Sequence, residues 1–212
     1  MTGRPAPDQL VRSDGWTVAA VAARRLAWVS LLWMSVEAVV GLVAGARAGA
    51  VSLMAWAAGS AVEALAAAII VWRFADRRRA DTRAERQARQ LVALSFWLLG
   101  PYIAVQAVRH LIDHERPSTT TAGLVLTAIA VVGMPVLGRA KHRLGRRLGS
   151  AATTGEGSQN YLCALQAAAV LLTLVVTAVS PAAWWLDPAV ALALAGWAIA
   201  QGRSVWHGDD CC

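Results

Sequence analysis

Apolar residues in this chain come in long runs rather than in the alternating patterns of soluble helices and strands. Six runs stand out, at 26–46, 51–72, 91–112, 122–137, 161–179 and 189–201. A hydrocarbon core about 30 Å thick needs roughly 20 apolar residues in a helix rising about 1.5 Å each. The pattern therefore predicts an all-α integral membrane bundle of six transmembrane helices. Gly100-Pro101 falls inside the third run, where a kink is expected, and Pro135 lies near the end of the fourth.

The polar residues between these runs set the organisation. Residues 1–23, with Pro5 and Pro7, read as a loosely ordered arm, 24–206 as one transmembrane domain and 207–212 as a short tail. Arginine is segregated: Arg24 and Arg25 precede the first run, the stretch 73–89 reads RFADRRRADTRAERQAR, and Arg139, Lys141, Arg143, Arg146 and Arg147 precede the fifth. With six crossings these clusters fall on one side together with both termini, while Arg47 and Arg116 lie opposite. The positive-inside rule then makes the termini cytoplasmic, and the plasma membrane is the expected location. SPAAWWLDP reads as a tight turn, with Trp184 and Trp185 in the interfacial belt. Asp187-Pro188 reads as a helix start, Asp as N-cap and Pro at the first position.

Composition narrows the function classes. The chain is 57% hydrophobic, only 16% charged and carries a formal charge of +7, with a mean hydropathy of +0.48. A soluble globule is not expected. The basic residues sit at the edges of apolar runs and never interleave with aromatics on one face, so they suit anionic headgroups rather than nucleic acid. Three cysteines, Cys163 in a membrane run and Cys211-Cys212 at the end, make no disulfide framework. No cleavable signal peptide is expected, and no nucleophile–base arrangement or phosphate-cradling loop points to an enzyme.

Two carboxylates lie at mid-depth, Glu37 in the first run and Glu63 in the second. A carboxylate there costs roughly 2.5–3.5 kcal/mol on insertion scales, so each needs a compensating role. Gly59 and Glu63 are four apart, as are Gln159 and Cys163, and residues i and i+4 share a helix face. Two facing helices bearing such pairs can surround a metal ion, here with Glu63, Gln159, Cys163 and water. Gly59 has no ligand side chain and is expected to let helices approach closely. Cys163 reads either as a small hydrophobe or as a ligand. Glu37 has no paired partner at this spacing and reads as a packing hydrogen bond or as part of an ion or proton path. Glu156 is expected near the interface, paired with Arg146 or Arg147, or drawing cations in. His114 and Glu115 fall in an outer loop. His207, Asp209, Asp210, Cys211 and Cys212 together could bind a soft cation.

At these residues the chain resembles the cation diffusion facilitator (cation efflux) family. The second run is similar to that family's S-x-x-L-x-A-D-x-x-x-H/D-S-x-x-D/E signature, through Ser52, Gly59 at the His/Asp position, Ser60 and Glu63 at the final acid. The fifth resembles the matching H/D-x-x-x-D motif, with Gln159 and Cys163 in those places and Glu156 upstream. WWLDPAVALALAGWAIAQG resembles the last helix, and the ending from Trp206 to Cys212 resembles short bacterial, membrane-only members. The metal-site motifs are degenerate, and no cytoplasmic metal-binding domain is expected after the sixth helix.

The resemblance implies a secondary transporter that exports a divalent transition-metal cation from the cytoplasm, works as a homodimer and carries no prosthetic group. Carboxylate and thiolate together suit a zinc-like ion. Loading a metal requires both groups deprotonated, which predicts exchange against protons. The rival expectation is a degenerate relative that no longer transports and serves as a membrane interaction or regulatory subunit.

Overall fold

The computed structural model describes residues 14–73, 82–148 and 151–207. Six α-helices run through them: α1 (Asp14–Ala48), α2 (Val51–Arg73), α3 (Thr82–Asp113), α4 (Thr121–Leu148), α5 (Ala151–Val179) and α6 (Leu186–His207). No strand occurs among the described residues. Among the described residues five stretches are long and apolar enough to cross a membrane: Val21–Ala48, Gln90–Asp113, Thr121–Arg147, Glu156–Val179 and Pro181–His207. The described apolar part of α2 is shorter, Val51–Leu65, within a helix of 23 residues. The protein is thus an all-helical, multi-pass membrane bundle.

The helices outrun the apolar runs in several places. α1 already begins at Asp14, so the latter part of the expected arm is helical. Its sequence there is alanine-rich, and alanine is the best helix former. α4 continues through Pro135 to Leu148, carrying Arg139–Arg147 on helix rather than loop. α5 starts at Ala151, so the small, polar stretch before Tyr161 is its first turns. α3 runs through Pro101 as one helix. The N-terminal segment before Asp14, the arginines at 77–79 and the tail residues Asp209, Asp210, Cys211 and Cys212 lie outside the described residues.

α2 is the centre of the bundle. One of its faces enters a core with Leu126 and Met134 of α4 and Cys163, Val170 and Leu174 of α5, through Leu53 and Trp56. The opposite face joins Ile103 and Ala107 of α3 and Ala191 and Ala195 of α6, through Val51 and Ala55. Outside, Leu32, Val36 and Val39 of α1, Leu98 and Val105 of α3 and Leu165 and Leu172 of α5 are exposed. In water such faces would be a liability; against acyl chains they carry no penalty.

Two chain reversals hold α2 in register. α1 passes into it through Gly49 at φ +63, a left-handed position that glycine adopts without strain, and Ala50 N–H closes on Gly45 O at 3.0 Å. The start of α2 is capped from the far end of the chain. The Asp187 carboxylate accepts from Val51 N at 2.7 Å, Ser52 N at 3.3 Å and Ser52 Oγ at 2.5 Å, and it is fully buried. Asp187 was expected to cap its own helix. α6 instead opens two residues earlier, at Leu186, which frees Asp187 to cap α2. Asp187→Ala strips three buried donors of their acceptor and should cost about 2–3 kcal/mol in unfolding from detergent micelles. A loss below about 0.5 kcal/mol would show that the cap is not needed.

Candidate functional site

Where α2 passes between α1 and α5, two carboxylates face a polar strip. Glu37 of α1 is completely buried. Trp33 Nε1, one turn earlier on the same helix, donates to Glu37 Oε1. Ser60 Oγ of α2 donates to Oε2 at 3.0 Å, and Cys163 Sγ of α5 lies 3.8 Å from the same oxygen. Glu37 is therefore not partnerless: three donors from three helices converge on it. The Trp33–Glu37 spacing of four residues was a signal open to sequence reasoning; the cross-helix partners were not.

Glu63 lies three residues after Ser60, on the same face of α2. Gln159 Nε2 of α5 donates to its Oε1, while its Oε2 is buried and has no hydrogen-bond partner. The i,i+4 pair on α5 therefore does meet α2, but it splits: Gln159 serves Glu63 and Cys163 serves Glu37. Because Cys163 and Glu37 are joined, the first helix enters an arrangement that the sequence assigned to the second and fifth alone. Among the described residues no group of three or more His, Cys, Asp or Glu side chains is assembled to hold a metal ion.

On the other side of Glu63 a narrow cleft lies between α2, α3, α5 and α6, with about 20 Å³ of free space. Gly59, Trp56 and Glu63 line it together with Phe96, Gln166 and Gln201. Gly59 does not bring two helices together, contrary to the expectation for a small residue: no heavy atom lies within 4 Å of where its Cβ would stand. The close approach is one helix away, at Gly41, where a Cβ would meet Ala57 Cβ at 2.7 Å. Trp56 is 2% exposed and packs its side chain against Cys163.

Glu156 pairs with neither Arg146 nor Arg147. It meets Lys141 Nζ at 3.1 Å, and Lys141, 3% exposed, also donates to Asn160 Oδ1 at 3.4 Å. The reason is the early start of α5, which lays Glu156 and Asn160 along α4 rather than in a loop. Toward the opposite end of the bundle His110 Nε2 meets Glu115 Oε2 at 3.1 Å, and His114 packs its ring against Trp184.

Comparison with curated proteins gives no match. The cation efflux transmembrane domain, in contrast, is matched over residues 27–206, a range that reaches from α1 to α6 and contains every residue of the two-carboxylate strip. The chain belongs to the cation efflux family of metal cation transporters.

Proposed function

We propose that this protein exports a divalent transition-metal cation of the zinc class from the cytoplasm across the plasma membrane, in exchange for protons. The observation that carries the reading is Glu63: a carboxylate bridged by Gln159 across two helices, with one oxygen unpartnered beside a narrow cleft. Glu63 is the primary cation ligand. Gln159 and Cys163, one turn apart on α5, complete the protein ligands, and Glu37 and Glu156 belong to the ion and proton path. Cation loading needs Glu63 and Cys163 without their protons, so reprotonation expels the ion. Rocking of the helices about this site would expose it to each side in turn. Both termini lie in the cytoplasm, beside the arginine clusters, and the family implies a homodimer.

The test is zinc flux into proteoliposomes under an imposed pH gradient. Uptake that is driven by the gradient and collapses with a protonophore supports exchange. Uptake indifferent to the gradient removes the proton from the mechanism. Absence of zinc, cadmium and cobalt flux from folded protein would overturn transport and favour a non-transporting membrane subunit.

A further inference from the structure

Five basic residues lie between 139 and 147 on α4, and only one of them turns inward. Arg139, Arg143, Arg146 and Arg147 are exposed, whereas Lys141 is 3% exposed. Its ammonium reaches α5, where it meets Glu156 Oε2 at 3.1 Å and Asn160 Oδ1 at 3.4 Å. The pair is lopsided, because the Glu156 side chain is 53% exposed. A cation arriving from water at this end of the bundle thus meets the carboxylate first, with the ammonium behind it. Stability does not explain the arrangement, since apolar residues often replace a buried ion pair without loss. α4 and α5 are also joined here without it. A Cβ on Gly138 would stand 2.9 Å from Gly157 O, so the two backbones touch, and His142 Nε2 meets Ser158 Oγ at 3.3 Å.

Position does explain it. Glu156 and Gln159 are three apart on α5 and share a face, so the paired carboxylate lies one turn, ~4.5 Å along the axis, from the amide that holds Glu63. We infer that Lys141 is a tethered competitor of the transported cation: its ammonium occupies Glu156 at the cytoplasmic entrance, and zinc must displace it to reach Glu63. The inference rests on the transport reading above and deepens it by naming the residue that sets the apparent affinity. A divalent ion can win this exchange. At the same distance from the carboxylate it gains twice the Coulomb energy of the ammonium, whereas a monovalent ion gains no more than the ammonium it would replace. The tether strengthens the competitor, because a covalently held group acts at a high effective concentration. Lysine suits the task, since a compact charge on a flexible stem can withdraw to Asn160 while the cation passes.

The test is the KM for zinc uptake into proteoliposomes under a fixed pH gradient and constant ionic strength. KM, unlike the maximal rate, does not depend on how much of the protein is folded. Lys141→Met keeps the length of the stem and removes the charge, and KM should fall at least about threefold, a figure that allows for the exposure of Glu156. Glu156→Gln leaves the ammonium uncompensated at the entrance and should raise KM by about as much. The double variant Lys141→Met/Glu156→Gln restores the balance of charge and should bring KM back to within about twofold of the wild type. Lys141→Arg keeps the charge, so its KM should stay at or above the wild-type value. A pair that only packs α4 on α5 would lower the maximal rate of both single variants without moving KM in opposite directions. That result overturns the competitor and leaves transport standing, as does a Lys141→Arg protein whose KM falls like that of Lys141→Met. A wild type that carries neither zinc nor cobalt overturns both readings.

Discussion

Glu63→Ala should abolish cation flux, by at least about a hundredfold in initial rate, while leaving the protein as stable as the wild type or more so. The two halves of this expectation come from one comparison of magnitudes. The carboxylate costs roughly 2.5–3.5 kcal/mol at mid-membrane on insertion scales. Its one hydrogen bond, from Gln159, returns about 0.6–1.7 kcal/mol, the range measured between membrane helices. Its second oxygen, buried without a partner, returns nothing. A residue that lowers stability yet stands beside a cleft is explained by what it binds. Flux in proteoliposomes and unfolding in mixed micelles should be measured on the same preparation. Flux that survives in the variant would move the site away from Glu63. Flux lost together with several kcal/mol of stability would make Glu63 a packing residue.

Glu37→Ala should behave in the opposite way, with stability hit hard. Glu37 is fully buried, and its removal leaves Trp33 Nε1 and Ser60 Oγ without this acceptor, breaks the Cys163 contact and opens a void between α1, α2 and α5. Interhelical bonds at about 0.6–1.7 kcal/mol each, plus the void, give an expected loss of about 3 kcal/mol. Glu37→Gln keeps the volume and one acceptor oxygen, so about 1 kcal/mol is expected. The ordering of the two variants in detergent-induced unfolding is the check. A Glu37→Ala protein within about 0.5 kcal/mol of wild type would show that the three-helix junction contributes little, and Glu37 would then be judged on transport alone.

The contrast between these two glutamates shows how far the sequence could be read. Both stand at mid-run and both are expensive there. Spacing picked out Glu63 with Gln159 and Cys163 as a facing set, and the Glu63–Gln159 bond has that arrangement. The same spacing rule treats each helix as an isolated cylinder, so it could not register that α1 packs against both α2 and α4 and carries Glu37 to Ser60 and Cys163. Gly59 failed for the same reason. Small residues permit close helix approach, but whether a neighbour comes close depends on the crossing points. Here the crossing falls at Gly41 and Ala57, leaving Gly59 open.

Other departures follow the same division. Asp187-Pro188 is a good local helix start, but α6 already opens at Leu186, with Asp187 inside its first turn. The Asp187 carboxylate instead found the amides of Val51 and Ser52, more than a hundred residues away in sequence, because the turn before α6 lies over the start of α2. Lys141 looked like one more interfacial cation in an arginine-rich stretch. Only the extension of α5 back to Ala151, alongside α4, buries it against Glu156 and Asn160.

Hydrophobic run lengths alone were enough for six helices in a bilayer, since that is a property of consecutive residues and the cost of moving them out of water. The family was legible in the motif residues. Motif spacing sufficed for Glu63 and its α5 partner, because i,i+4 geometry is intrinsic to any helix. Which helix supplies the remaining partners, which carboxylate is sealed and which keeps an oxygen open, and where the cleft runs were decided by the packing of α1, α3 and α6 around α2. Those contacts depend on crossing positions between segments far apart in the chain, and no local pattern encodes them.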